Sequence, residues 1–99
     1  MPKSYKNDVN KLYKAILTLK TEEEYGAFFE DICTIQEIES IAQRFEVACQ
    51  LKEGKSYIDI NKNTGASTAT ICRVSKCLNY GEGGYATAIE RLKGDNGNV

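Results

Sequence analysis

Residues 56–79 read SYIDINKNTGASTATICRVSKCLN. Ser56, with Asp59 three positions on, has the form of a helix start, because a serine oxygen there takes up a backbone N–H that has no partner in the first turn. The short helix it opens carries Ile58 and Ile60 as its apolar members and is expected to end near Thr64. Gly65 breaks the pattern, and Ser67 caps a second helix whose inner face holds Ile71, Val74 and Leu78. Two helices joined at a steep angle commonly need a residue of positive φ between them, which glycine supplies without the steric cost of a Cβ. Ile60, Ala66, Ile71 and Val74 have the spacing to pack these helices on each other, so the segment reads as a helix-turn-helix. It departs from the usual motif at Asn61, where a small apolar residue normally stands four positions before the glycine.

Thr68, Ala69, Thr70, Cys72 and Arg73 are left to face outward or sideways. Small and hydroxyl-bearing residues suit a helix that enters a groove, because they let its backbone approach base edges and offer a methyl to thymine. From Lys52 to Asn79, Lys52, Lys55, Lys62, Arg73 and Lys76 outnumber Glu53 and Asp59, in a chain whose net charge is −1. A local excess of this kind is what contact with phosphates requires. Double-stranded DNA is therefore the expected partner. Thr68, Ala69, Thr70 and Cys72 are assigned to the major groove, and Lys55, Lys62, Lys76 and Asn79 to phosphates or the groove edge. The competing reading is a helical protein-interaction module that binds no DNA, which the acidic balance elsewhere and Asn61 would suit.

Every other segment also reads as helix. Val9, Leu12, Tyr13, Ile16 and Leu17 form an apolar stripe over about residues 5–19. Thr21 with Glu24, and Thr34 with Glu37, have the form of capping boxes. The first precedes a helix lined by Tyr25, Phe28, Phe29 and Ile32; the second precedes one carrying Ile38, Ile41, Ala42, Phe45, Ala48 and Cys49, which reaches Lys52 and stops at Gly54. After a glycine-rich loop, a last helix is expected over residues 85–92, and residues 94–99 as a frayed tail.

The chain has 99 residues, 41% hydrophobic and 27% charged, which suits one all-α domain. No apolar run approaches the roughly 18 residues of a membrane span and MPKSYKNDVN lacks the apolar core of a signal peptide, so a cytoplasmic protein without membrane contact is expected. Four cysteines at irregular spacing and no histidine argue against a zinc site and remove the commonest general base. Neither an enzyme nor a cofactor is expected.

The stretch TIQEIESIAQRFEVACQLKEGKSYIDINKNTGASTATICRVSKCL, residues 34–78, resembles the DNA-binding core of the Trp repressor family. The run GASTATICRVSKCL is similar to that family's turn and recognition helix, with its Ala-Thr-Ile-x-Arg centre. The likeness extends over about residues 33–92, and within the family it points to the YerC/YecD group. It implies an all-α, six-helix subunit whose N-terminal helices, here about 5–52, interlock with those of a second copy in an intertwined homodimer. Tyr13, Tyr25, Phe28 and Phe29 are a large apolar load for two short helices, which suits such an interface.

The resemblance also implies a tryptophan site. Arg44 and Arg73 align with the two arginines that flank the indole and bind the carboxylate, Thr34 with a pocket residue, and Cys77 with a serine that contacts the amino group. Both arginines equally suit structural or phosphate-facing roles. Val74 stands where the family has a glycine that makes room for the ligand. Three added carbons in such a space cost about 1–3 kcal/mol. The expectation is DNA binding without tryptophan control, with any small-molecule effector unknown.

Overall fold

The computed structural model describes residues 3–97 of the chain, and side chains from Lys6 to Gly94. Six α-helices follow in order: α1 (Lys3–Leu17), α2 (Glu22–Ile32), α3 (Ile35–Lys52), α4 (Tyr57–Thr64), α5 (Thr68–Tyr80) and α6 (Gly84–Gly97), with no strand among the described residues. The chain divides into two compact units, Met1–Ile38 and Glu39–Val99.

In the first unit the helix ends follow from local chemistry. α1 stops at Leu17, short of the expected residue 19, because Thr18 and Leu19 bond to carbonyls three residues back, at 3.1 Å each, and tighten the last turn. The Thr34–Glu37 box is reciprocal: the Glu37 N–H donates to Thr34 Oγ1 at 3.1 Å and the Thr34 N–H to Glu37 Oε1 at 2.8 Å. At Thr21 the return bond is displaced by one residue, with Glu24 Oε1 accepting from the Lys20 N–H at 2.7 Å. Phe28 and Phe29 meet edge to face, their centroids 5.6 Å apart. No side chain from Lys6 to Ile38 is buried, and Leu17 and Ile35 are 81% and 73% exposed.

The second unit holds the core. Val47 and Ala48 of α3, Ile60 of α4, Ala66 of the turn, Ile71 and Val74 of α5 and Ile89 of α6 are all buried, with Phe45, Cys49, Leu51 and Tyr85 packed at the edge. Burying each larger aliphatic side chain here contributes roughly 1.5–3 kcal/mol. Gly54, just past α3, takes φ 83°, as expected of the residue that stops this helix. Ile60 is buried and Ile58 is 80% exposed, because two positions along a helix turn a side chain through about 200°. One expectation is corrected. α6 starts at Gly84 and continues through Gly94 to Gly97, where a helix over 85–92 and a frayed tail were expected. Glycine weakens a helix but removes none of its hydrogen bonds. Asn98 and Val99 of that tail lie outside the described residues.

Candidate functional site

The α4–turn–α5 segment is held by an array of short hydrogen bonds. Ser56 Oγ accepts from the Asp59 N–H and Ser67 Oγ from the Thr70 N–H, each completing an N-cap. Gly65 sits in the left-handed region at φ 75°, and its N–H donates to the Asn61 carbonyl at 2.8 Å. The Asn61 side chain explains its departure from the usual motif: Nδ2 donates to the Ala66 carbonyl at 2.7 Å, so a polar residue closes the turn from within. Thr64 Oγ1 donates to the Ile60 carbonyl at 2.7 Å and accepts from the Ala66 N–H at 3.1 Å.

α3 supplies two further anchors that the sequence reading missed. Gln43 Nε2 donates to the Thr64 carbonyl at 3.1 Å. Gln50, buried and two turns along the same face, accepts at Oε1 from Asn63 Nδ2 at 3.1 Å and donates from Nε2 to Glu46 Oε2 at 2.9 Å. Spacing alone offered one signal, a glutamine pair at i and i+7 beside an apolar stripe, and it did not name the partners.

This scaffold fixes the outer face of α5. Thr68, Ala69, Cys72, Arg73, Lys76 and Asn79 are all exposed, and their spacing of three and four places them along one side of the helix. Thr70 is half-buried and its hydroxyl accepts from Ser67 Oγ at 3.1 Å, so it belongs partly to the cap. Asn79 Nδ2 lies 3.4 Å from Ser75 Oγ. Lys62 is exposed at the end of α4, and Lys55 is exposed but stands 3.3 Å from Glu53 Oε2, the one ion pair among the described residues. An exposed pair of this kind is weak and leaves the lysine available.

Of the residues carried over for a tryptophan site, Arg44, Arg73 and Cys77 lie in the second unit. An open, mostly apolar groove of about 440 Å³ lies between α3, α5 and α6, lined by Phe45, Cys77, Gly81, Glu82, Gly84, Tyr85 and Ala88. Of these three, only Cys77 borders it. Arg44 is half-buried on α3, Arg73 points outward on α5, and Thr34 belongs to the other unit. Val74 is 1% exposed and part of the core.

The family model for Trp repressor protein matches residues 7–93. The chain belongs to the Trp repressor family. It is 54% identical over 86 residues to protein YerC of Bacillus subtilis (strain 168), covering 87% of this chain and 83% of YerC. A crystal structure of a TrpR-like protein from Eubacterium eligens ATCC 27750 superposes with a TM-score of 0.85 at 55% identity, covering 88% of this chain and 90% of that one. A second solved structure, from Staphylococcus aureus, gives a TM-score of 0.85 at 42% identity, over 88% of this chain and 87% of that one. The Trp repressor family is a regulatory family of DNA-binding proteins rather than of enzymes. Among the described residues no helix is long and apolar enough to cross a membrane, and no cluster of acidic or thiol side chains could hold a metal ion.

Proposed function

We propose that this Trp repressor family member is a homodimeric, cytoplasmic transcriptional regulator that binds double-stranded DNA in a sequence-specific manner without requiring tryptophan. The observation that carries the reading is the exposed row on α5, set on a turn that Asn61, Thr64 and Gln43 hold in place. Thr68, Ala69, Cys72 and the accessible part of Thr70 present small groups to base edges. Lys55, Lys62, Arg73, Lys76 and Asn79 flank them at positions suited to phosphates. Specific readout needs such rigid placement, because a side chain that moves freely reads no base.

Dimerisation is supported by the apolar surface that residues 6–46 leave uncovered in one subunit, where no side chain is buried. Residues 5–52 would then form the dimer and residues 56–79 the DNA-reading part of one domain. Tryptophan independence is supported by Val74, whose side chain lies inside the core. Arg44 and Arg73 then serve packing and phosphate contact rather than an indole.

Selection of bound duplexes from a random pool tests the whole reading. A twofold-symmetric site with half-sites about one helical turn apart is expected, bound more weakly as salt rises. A pool that never enriches a symmetric sequence overturns the proposal and favours a protein-interaction module.

A further inference from the structure

Ile58 is 80% exposed on α4, and among the described residues of the second unit no other large aliphatic side chain is as open to solvent: Ile41 and Leu92 follow at 46% and 48%. The fold does not call for an isoleucine there. Ile60 is the α4 residue that the core buries, and isoleucine is a poorer helix former than glutamine, lysine or arginine. A lone exposed isoleucine is ordinary on a protein surface, so its meaning comes from its neighbours.

Ile58 and Lys62 stand one turn apart, about 40° around α4 and about 6 Å along it, so they share a face opposite the buried side marked by Ile60. Both are exposed, and Asp59, the acidic residue of this helix, is turned about 100° from Ile58. The proposed function sets Lys62 against a phosphate, and the residue one turn before it on the same face then meets the same duplex. An apolar side chain has few partners beside phosphates. Sugar edges are alike in every sequence, whereas the 5-methyl group of thymine projects into the major groove and is the apolar feature that tells one base pair from another there. A β-branched residue in a helix holds nearly a single χ1 rotamer, so Ile58 presents its methyl groups at a fixed place and loses little freedom on contact.

We propose that Ile58 is a specificity-determining residue of this protein, packing on the 5-methyl group of a thymine in each half-site. The inference rests on the DNA-binding reading and deepens it, adding α4 to the reading surface assigned to α5 and naming the base.

Deoxyuridine, which is thymidine without that methyl group, tests it. In the duplex that the unsubstituted protein selects from a random pool, each thymine is replaced in turn, in both half-sites together, and binding is measured for the unsubstituted protein and for Ile58→Ala. One position is expected at which the replacement weakens the unsubstituted protein about tenfold, roughly threefold to fourfold for each methyl group lost from contact, and leaves Ile58→Ala unchanged. Replacement of a thymine that Thr68 or Ala69 contacts should weaken both proteins alike. Ile58→Ala should melt as the unsubstituted chain does and keep its salt slope, because the side chain is exposed and carries no charge. The coupling is a ratio of affinities, so a uniform loss of folded protein does not imitate it. A variant that loses affinity equally for all duplexes, a scrambled one included, touches only the backbone and overturns the inference, as does one that binds like the unsubstituted chain or one whose loss couples to no thymine. A chain that selects no duplex from the pool overturns the DNA-binding reading along with it.

Discussion

Asn61 Nδ2 donates to the carbonyl oxygen of Ala66 at 2.7 Å, across the glycine that joins α4 to α5. The residue that fits the helix-turn-helix pattern least well in sequence is thus one that closes its turn. A net hydrogen bond contributes about 0.5–1.5 kcal/mol, and leaving the Ala66 carbonyl without its partner adds to the loss. Asn61→Ala should lower the melting temperature by roughly 4–8 °C for each kcal/mol lost. Gly65→Ala should cost about 1–2 kcal/mol, because an alanine is strained at φ 75°. Thermal melts of the two variants check both values.

If α5 reads DNA as proposed, its exposed row separates two kinds of contact. Thr68→Ala and Ala69→Val should change which duplexes are preferred. Lys62→Ala and Lys76→Ala should weaken all sequences alike and each flatten the salt slope by about one per subunit. Thr70→Ala combines a change in preference with a loss of stability, because its hydroxyl takes part in the Ser67 cap. Titrations against the selected site and a scrambled duplex at two salt concentrations distinguish these cases.

Tryptophan should not bind the unsubstituted protein more tightly than millimolar. Val74 is 1% exposed among Ile71, Ile60 and Val47, and its side chain occupies core volume. A ligand without differential affinity for two states cannot shift DNA binding between them. Calorimetric titration with L-tryptophan checks this, and micromolar binding coupled to tighter DNA binding would restore corepressor control. Val74→Gly should open space at a stability cost of roughly 2–3 kcal/mol.

The four cysteines should differ in reactivity. Cys72 and Cys77 are exposed, whereas Cys49 is half-buried and its thiol is pushed above the ordinary range, first by burial and then by the Glu46 and Glu53 carboxylates, with Lys93 opposing. Timed alkylation near neutral pH should modify Cys72 and Cys77 first and Cys49 more slowly, since the thiolate is the reactive form. The raised folded-state value also means that the stability Cys49 contributes is present below the unfolded thiol's value, and falls as pH rises through it and towards the folded one.

Helix positions were legible where a cap and an apolar period coincide. Ser56, Ser67, Thr21 and Thr34 each start a helix as expected, and Ile60, Ala66, Ile71 and Val74 form the core between α4 and α5 as their spacing implied. The family resemblance read from residues 34–78 stands as well. Polar anchoring was not legible. Gln43 and Gln50 look like surface residues in a helical repeat, and only the position of α4 beside α3 turns them into partners of Thr64 and Asn63.

No side chain between Lys6 and Glu46 is buried. If a second copy covers this surface, occupancy of a two-half-site operator grows with the square of subunit concentration below the dimer dissociation constant. The protein would then respond to its own abundance, and while the operator is mostly free a twofold change in expression would become a fourfold change in its occupancy, with no metabolite involved.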